Sequence, residues 1–153
     1  MLFNKFHLHL QKSIETCKAH LLNILFAILF MYDQTLIIKS LKRLNKVIEN
    51  LIESTSCIPD IYDLPKSADG MLRLNGICMC LIIIGAEVKL IDKYTQEQIL
   101  PTYPAISWKN IIGMRERIFH SYFEVDIDVI FDILRNDIPP LLAIIKQMKN
   151  DWS

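Results

Sequence analysis

The stretch ICMCLIIIG, residues 77–85, decides which fold class this chain can adopt. The β-branched Ile82, Ile83 and Ile84 suit a strand, but helical periodicity flanks them from residue 67 to 93. No second strand-like run offers them a partner. The run therefore reads as the middle of a long helix, apolar nearly all round, which suits the centre of a bundle. On that reading Gly76 and Gly85 mark close helix–helix contacts and not turns.

Working outward, residues 34–54 place Leu36, Ile37, Leu41, Leu44, Val47, Ile48, Leu51 and Ile52 at three- and four-residue steps. Lys39, Lys42, Arg43, Lys46, Glu49 and Glu53 fall on the remaining faces, which makes an amphipathic helix. Pro59 and Pro65 block its continuation. Beyond the central helix, residues 95–108 form a connector containing Pro101 and Pro104. Ser107 then caps a helix carrying Trp108, Ile111, Ile112 and Met114. Asp126 caps another, with Asp128 in its positive first turn, and Asp137 caps the last, with Pro139 and Pro140 behind it. The expectation is an all-α chain folded as an antiparallel helical bundle.

The 153 residues suit one domain, which buries roughly 68–70% of its unfolded surface. Hydrophobic residues make up 52% and charged residues 22%, a globular composition. Seventeen basic residues balance seventeen acidic ones, which argues against bulk electrostatic coating of nucleic acid. A small basic site for one phosphodiester at a time remains open. Cys17, Cys57, Cys78 and Cys80 are too few for a disulfide scaffold and suit a reducing cytoplasm. Cys78 and Cys80 would point about 200° apart on a helix, so they read as buried structural thiols and not as metal ligands. The run LLNILFAILFMY, residues 21–32, falls short of the roughly 20 apolar residues of a bilayer span. It reads as a packed or loosely attached helix, with no membrane role. His7, His9 and His20 read as exposed and unliganded.

The segment GMRERIFHSYFEVD, residues 113–126, carries the candidate chemistry. Histidine near neutral pH can take the 2′-hydroxyl proton of RNA, so that this oxygen attacks the adjacent phosphorus. A guanidinium can hold the charge that then builds on the phosphorane. Arg115 and His120 supply those two groups, and the Tyr122 hydroxyl can orient a phosphate. On a regular helix Arg115 and Tyr122 lie about 20° apart, but Arg115 and His120 about 140° apart. A symmetric dimer would bring a second copy of each residue to one groove. It would also supply the acid that the leaving 5′-oxygen needs. Glu116, one turn before His120, would favour the charged imidazole, or else form an ordinary surface pair with it. By spacing alone the trio is a weak signal.

Context strengthens it. Arg-x4-His-x-Tyr follows Trp108, Lys109, Ile111, Gly113 and Met114, with YFEVD after it and IDKYT (91–95) and YP (103–104) before it. In these residues the chain from about 31 to 148 resembles the HepT-like ribonuclease toxins of the HEPN superfamily. The resemblance implies a helical bundle that homodimerises, with an RNA-cleaving groove at the interface and Arg115 and His120 as catalytic residues. It implies no cofactor and no metal. The implied partner is an MNT-type nucleotidyltransferase antitoxin that transfers AMP to Tyr122, in a type II or VII-like toxin–antitoxin pair. Three positions depart from the family's usual pattern: Glu116 where Asp or Asn is common, Ser121 where His or Gly is common, and Gly85-Ala86-Glu87-Val88-Lys89 where Gly-Glu-x-x-Lys is common. Residues 1–30 have no counterpart and read as a helical extension to a domain at 31–150.

Two other readings compete. One is a catalytically weak helical protein that binds a nucleotidyltransferase or a nucleotide without cutting RNA. The other treats Asp126, Asp128 and Asp132 as a metal cluster.

Overall fold

The computed structural model describes residues 2–120 and 126–152, with side chains for all of these except 2–14, 17, 23–33 and 120. Five α-helices are described: α1, Leu2–Ser56; α2, Ala68–Tyr94; α3, Trp108–His120; α4, Ile127–Asp132; and α5, Ile138–Asp151. No strand occurs among the described residues, and residues 77–85 lie inside α2. The fold is an all-α bundle.

The chain forms two compact units, Met1–Thr35 and Leu36–Ser153. The first is helical, and its Leu21 and Leu22 are exposed. The second holds the described core. Leu41, Leu44 and Ile48 of α1 join Leu81, Ile84, Val88 and Ile91 of α2 there, all fully buried. Ile111, Met114 and Ile118 of α3 and Ile138, Leu141, Ile145 and Met148 of α5 complete it.

Several helix ends have a local cause. Ser67 caps α2 by accepting from the Gly70 amide at 3.0 Å, and Asp126 caps α4 by accepting from the Asp128 amide at 2.9 Å. The Ser107 carbonyl accepts from the Asn110 and Ile111 amides and so opens α3. Asp137 departs from expectation: it is helical and makes no side-chain cap. A π-turn at Ile133–Asp137 joins α4 to α5 instead. Pro139 and Pro140 cannot donate to the carbonyls of residues 135 and 136, so the ladder widens ahead of them.

The connector before α3 is tied down at Tyr103. The Trp108 indole donates to its carbonyl at 2.9 Å, and its hydroxyl donates to Asp151 at the end of α5 at 2.7 Å. Burial, and then that carboxylate, push the Tyr103 hydroxyl up to about 12.

The long α2 is less enclosed than its composition suggests. Leu72, Met79 and Ile83 are exposed on it, and a side chain at Gly76 would meet nothing within 4 Å. Gly76 is therefore not the close helix contact expected of it. By length and composition α2 could cross a bilayer, but its buried face is the bundle's core.

Candidate active site

Helix α3 buries Trp108, Ile111, Met114 and Ile118 along one face, and Arg115 stands at the edge of that face. Its position is fixed by Gly85 of α2. A Cβ at Gly85 would lie 2.9 Å from the Arg115 Cβ and 3.0 Å from the Ile111 carbonyl oxygen. Only glycine lets the two helices meet this closely, as the sequence suggested. The contact sets the stem of Arg115 against α2 while its side chain stays 40% exposed.

From there Arg115 looks into a cleft of about 700 Å³ whose other wall is the C-terminal half of α2. Lys89 and Lys93 line it with Arg115, and Asp92, Gln96 and Glu97 line it near the end of the helix. Burial raises the Asp92 carboxyl above the usual range, and the nearby Glu97 charge raises it further. Gln96 and Glu97 take left-handed conformations, φ 51° and 62°. Their amides donate to the Lys93 and Asp92 carbonyls and so cap α2 in the place glycine usually takes. Two such non-glycine residues cost on the order of 1 kcal/mol each or more. The cleft therefore ends in a strained acidic lip.

Of the expected site residues, Arg115 and Glu116 are described with their side chains. The Glu116 carboxylate lies 3.6 Å from Arg115 Nη1, both half-exposed, a pair worth at most about 1 kcal/mol. His120 is the last described residue of α3, and its side chain lies outside the described residues, as does Tyr122 entirely. Because α3 is helical through His120, positions 115 and 120 leave the helix axis about 140° apart.

The altered Gly85–Lys89 segment has a clear local role. Glu87 turns away to α1, where Arg43 pairs with it at 2.9 Å and also donates to Ser40. Lys89, two residues on, faces the cleft. The carboxylates of the competing metal reading are engaged separately. Asp126 caps α4, Asp128 accepts from the Tyr62 hydroxyl at 2.6 Å, and Asp132 accepts from Asn136 at 2.7 Å. No group of three His, Cys, Asp or Glu side chains converges among the described residues. Cys78 is buried and Cys80 half-buried, and burial raises both thiols. Cys57 is exposed.

Sequence reasoning missed Lys89, Lys93 and Asp92 as companions of Arg115. The signal was available for the lysines: residues 85, 89 and 93 step by four, so they share the helix face that Gly85 turns toward α3.

Residues 63–148 match the family described as Ribonuclease HepT-like. That span holds α2 through most of α5 and includes Arg115, His120 and Tyr122. A Methanocaldococcus jannaschii protein, provisionally named an RNase, is 31% identical over 97 residues, covering 60% of this chain and 80% of its own length. A second from that organism, with the same provisional name, is 35% identical over 66 residues, 43% of this chain and 51% of its own. A Thermococcus cleftensis protein, provisionally named ribonuclease HepT, is 32% identical over 47 residues, 31% of this chain and 43% of its own. No solved structure matches the chain. Family match and all-helical bundle agree: the chain belongs to the HepT-like ribonucleases of the HEPN superfamily.

Proposed function

We propose that the chain is an endoribonuclease toxin that cuts RNA without a metal ion and acts as a homodimer. His120 takes the 2′-hydroxyl proton, and O2′ attacks phosphorus while the bond to the 5′-oxygen breaks. His120 of the second copy returns a proton to that leaving oxygen. Arg115 holds the charge on the phosphorane by directed hydrogen bonds. The catalytic domain in this reading is residues 31–150, with 1–30 as an extension. The separation of the chain into the compact units Met1–Thr35 and Leu36–Ser153 supports a division close to that point. The proposed control is an MNT-type nucleotidyltransferase antitoxin that adds AMP to Tyr122.

One observation carries the reading: Arg115 is packed against Gly85 at the mouth of a cleft, half-exposed, on the helix that runs through His120. The test is cleavage of total RNA by purified protein in the presence of EDTA. Arg115→Ala and His120→Ala should each slow cleavage by about 100-fold or more. Wild-type rates in either variant, or a strict need for magnesium, would overturn it. The alternative, a helical partner that binds without cutting, would show no cleavage by the unmodified protein.

A further inference from the structure

We infer that Lys89 and Lys93 form, with Arg115, a track for successive phosphates of one RNA strand, and that Glu97 closes it. The inference deepens the ribonuclease reading and rests on it. Arg115 sits level with Gly85. Lys89 and Lys93 follow one and two turns further along the same face of α2, each step about 6 Å along the axis. All three line one cleft, and both lysines are exposed. Neither lysine belongs to an ion pair among the described residues. Of the carboxylates lining the cleft, Glu97 stands past the far end of the row, and Asp92, one residue before Lys93, has its carboxyl raised by burial and then by Glu97.

Geometry then dictates polarity. A phosphate held by Arg115 for cleavage places its neighbours on one side against Lys89 and then Lys93. A further phosphate would meet Glu97 and be repelled. The track therefore takes two phosphates beyond the scissile one. Contacts of this kind set affinity and register and leave sequence choice to the bases. The chain's zero net charge is compatible with this, since three basic side chains lining one cleft need no overall positive charge.

The experiment uses the full chain and fluorescently labelled single-stranded RNA. Binding is read in the His120→Ala background, where no turnover interferes, and cleavage in the otherwise wild-type chain. The Lys89→Gln/Lys93→Gln pair should raise both Kd and KM about tenfold and flatten the slope of log K against log salt by about 0.7 per lysine lost. Its kcat should change far less than its KM. Glu97→Gln should act in the opposite direction, tightening binding of RNA long enough to pass the lip. Lys42→Gln/Lys46→Gln, on exposed positions of α1, serves as the control and should leave all of these values unchanged. An unchanged salt slope in the Lys89/Lys93 variant would overturn the track. So would equal losses in that variant and the control, or a loss of kcat with KM intact. Intact RNA binding together with lost binding to an acidic protein partner would assign the row to that partner and overturn it too. If the unmodified chain binds RNA with lysine dependence yet never cuts it, the ribonuclease reading fails and the track stands.

Discussion

At Arg115 the guanidinium is in reach of two kinds of anion. The Glu116 carboxylate is 3.6 Å away, held by a weak surface pair, so an incoming phosphate with two oxygens can displace it. The same reasoning explains why Tyr122 would be an effective control point. AMP on its hydroxyl adds one phosphodiester charge and an adenine ring in a single transfer, and that charge competes for Arg115 in the way substrate does. On the proposed control, co-expressing the chain with an MNT-type nucleotidyltransferase should give an adenylate-sized mass increment on the intact protein. Tyr122→Phe should lack the increment and retain toxicity in the presence of the partner. The same increment on Tyr122→Phe would move control to another residue. Arg115, His120 and Tyr122 stand out as candidates only through their surrounding motif, because helical spacing alone sets Arg115 and His120 apart.

Among the helices, the decisive contact is α2 against α3, and two glycines in α2 test it with one substitution. Gly85→Ala would drive a methyl group to 2.9 Å from the Arg115 Cβ and 3.0 Å from a backbone oxygen. Overpacking of that kind costs about 1–3 kcal/mol, and relief by moving α3 would displace Arg115. Gly76→Ala meets nothing within 4 Å and sits inside the same helix, so it should gain about 1 kcal/mol of helix propensity. Chemical denaturation should therefore give shifts of opposite sign, and RNA cleavage should fall only in Gly85→Ala. Matching signs would mean that helix propensity, and not the contact, governs both positions. The sequence made the all-α class, the extent of α2 and the Gly85 contact readable, since capping and periodicity are local. The two glycines look alike in sequence, and only the packing of α3 separates them. The π-turn at Ile133–Asp137 was unreadable for a similar reason: Asp137 before two prolines looks like a cap, while the chain instead stays helical through a widened turn.

For the whole molecule the proposed reaction carries a stoichiometry that can be tested. Acid and base are both needed to cleave a phosphodiester, the region holds one histidine, and helical spacing sends residues 115 and 120 in different directions. A two-fold axis through the groove answers both demands, because it pairs each copy's residues with the other's. If both His120 side chains serve one groove, a dimer with a single His120→Ala copy is as good as dead. Mixing equal amounts of wild-type and His120→Ala protein and allowing subunit exchange would leave about a quarter of the dimers fully wild-type. Cleavage should then fall to about a quarter of the wild-type dimer rate, normalised to total dimer. Independent sites in each copy would instead leave about half. The same reasoning predicts that excess His120→Ala, expressed beside the wild-type chain, suppresses its toxicity. A half-maximal rate in the mixture, or a monomer by sedimentation at the assay concentration, would show that one copy assembles its own acid and base, and α3 would then have to depart from a regular helix near His120.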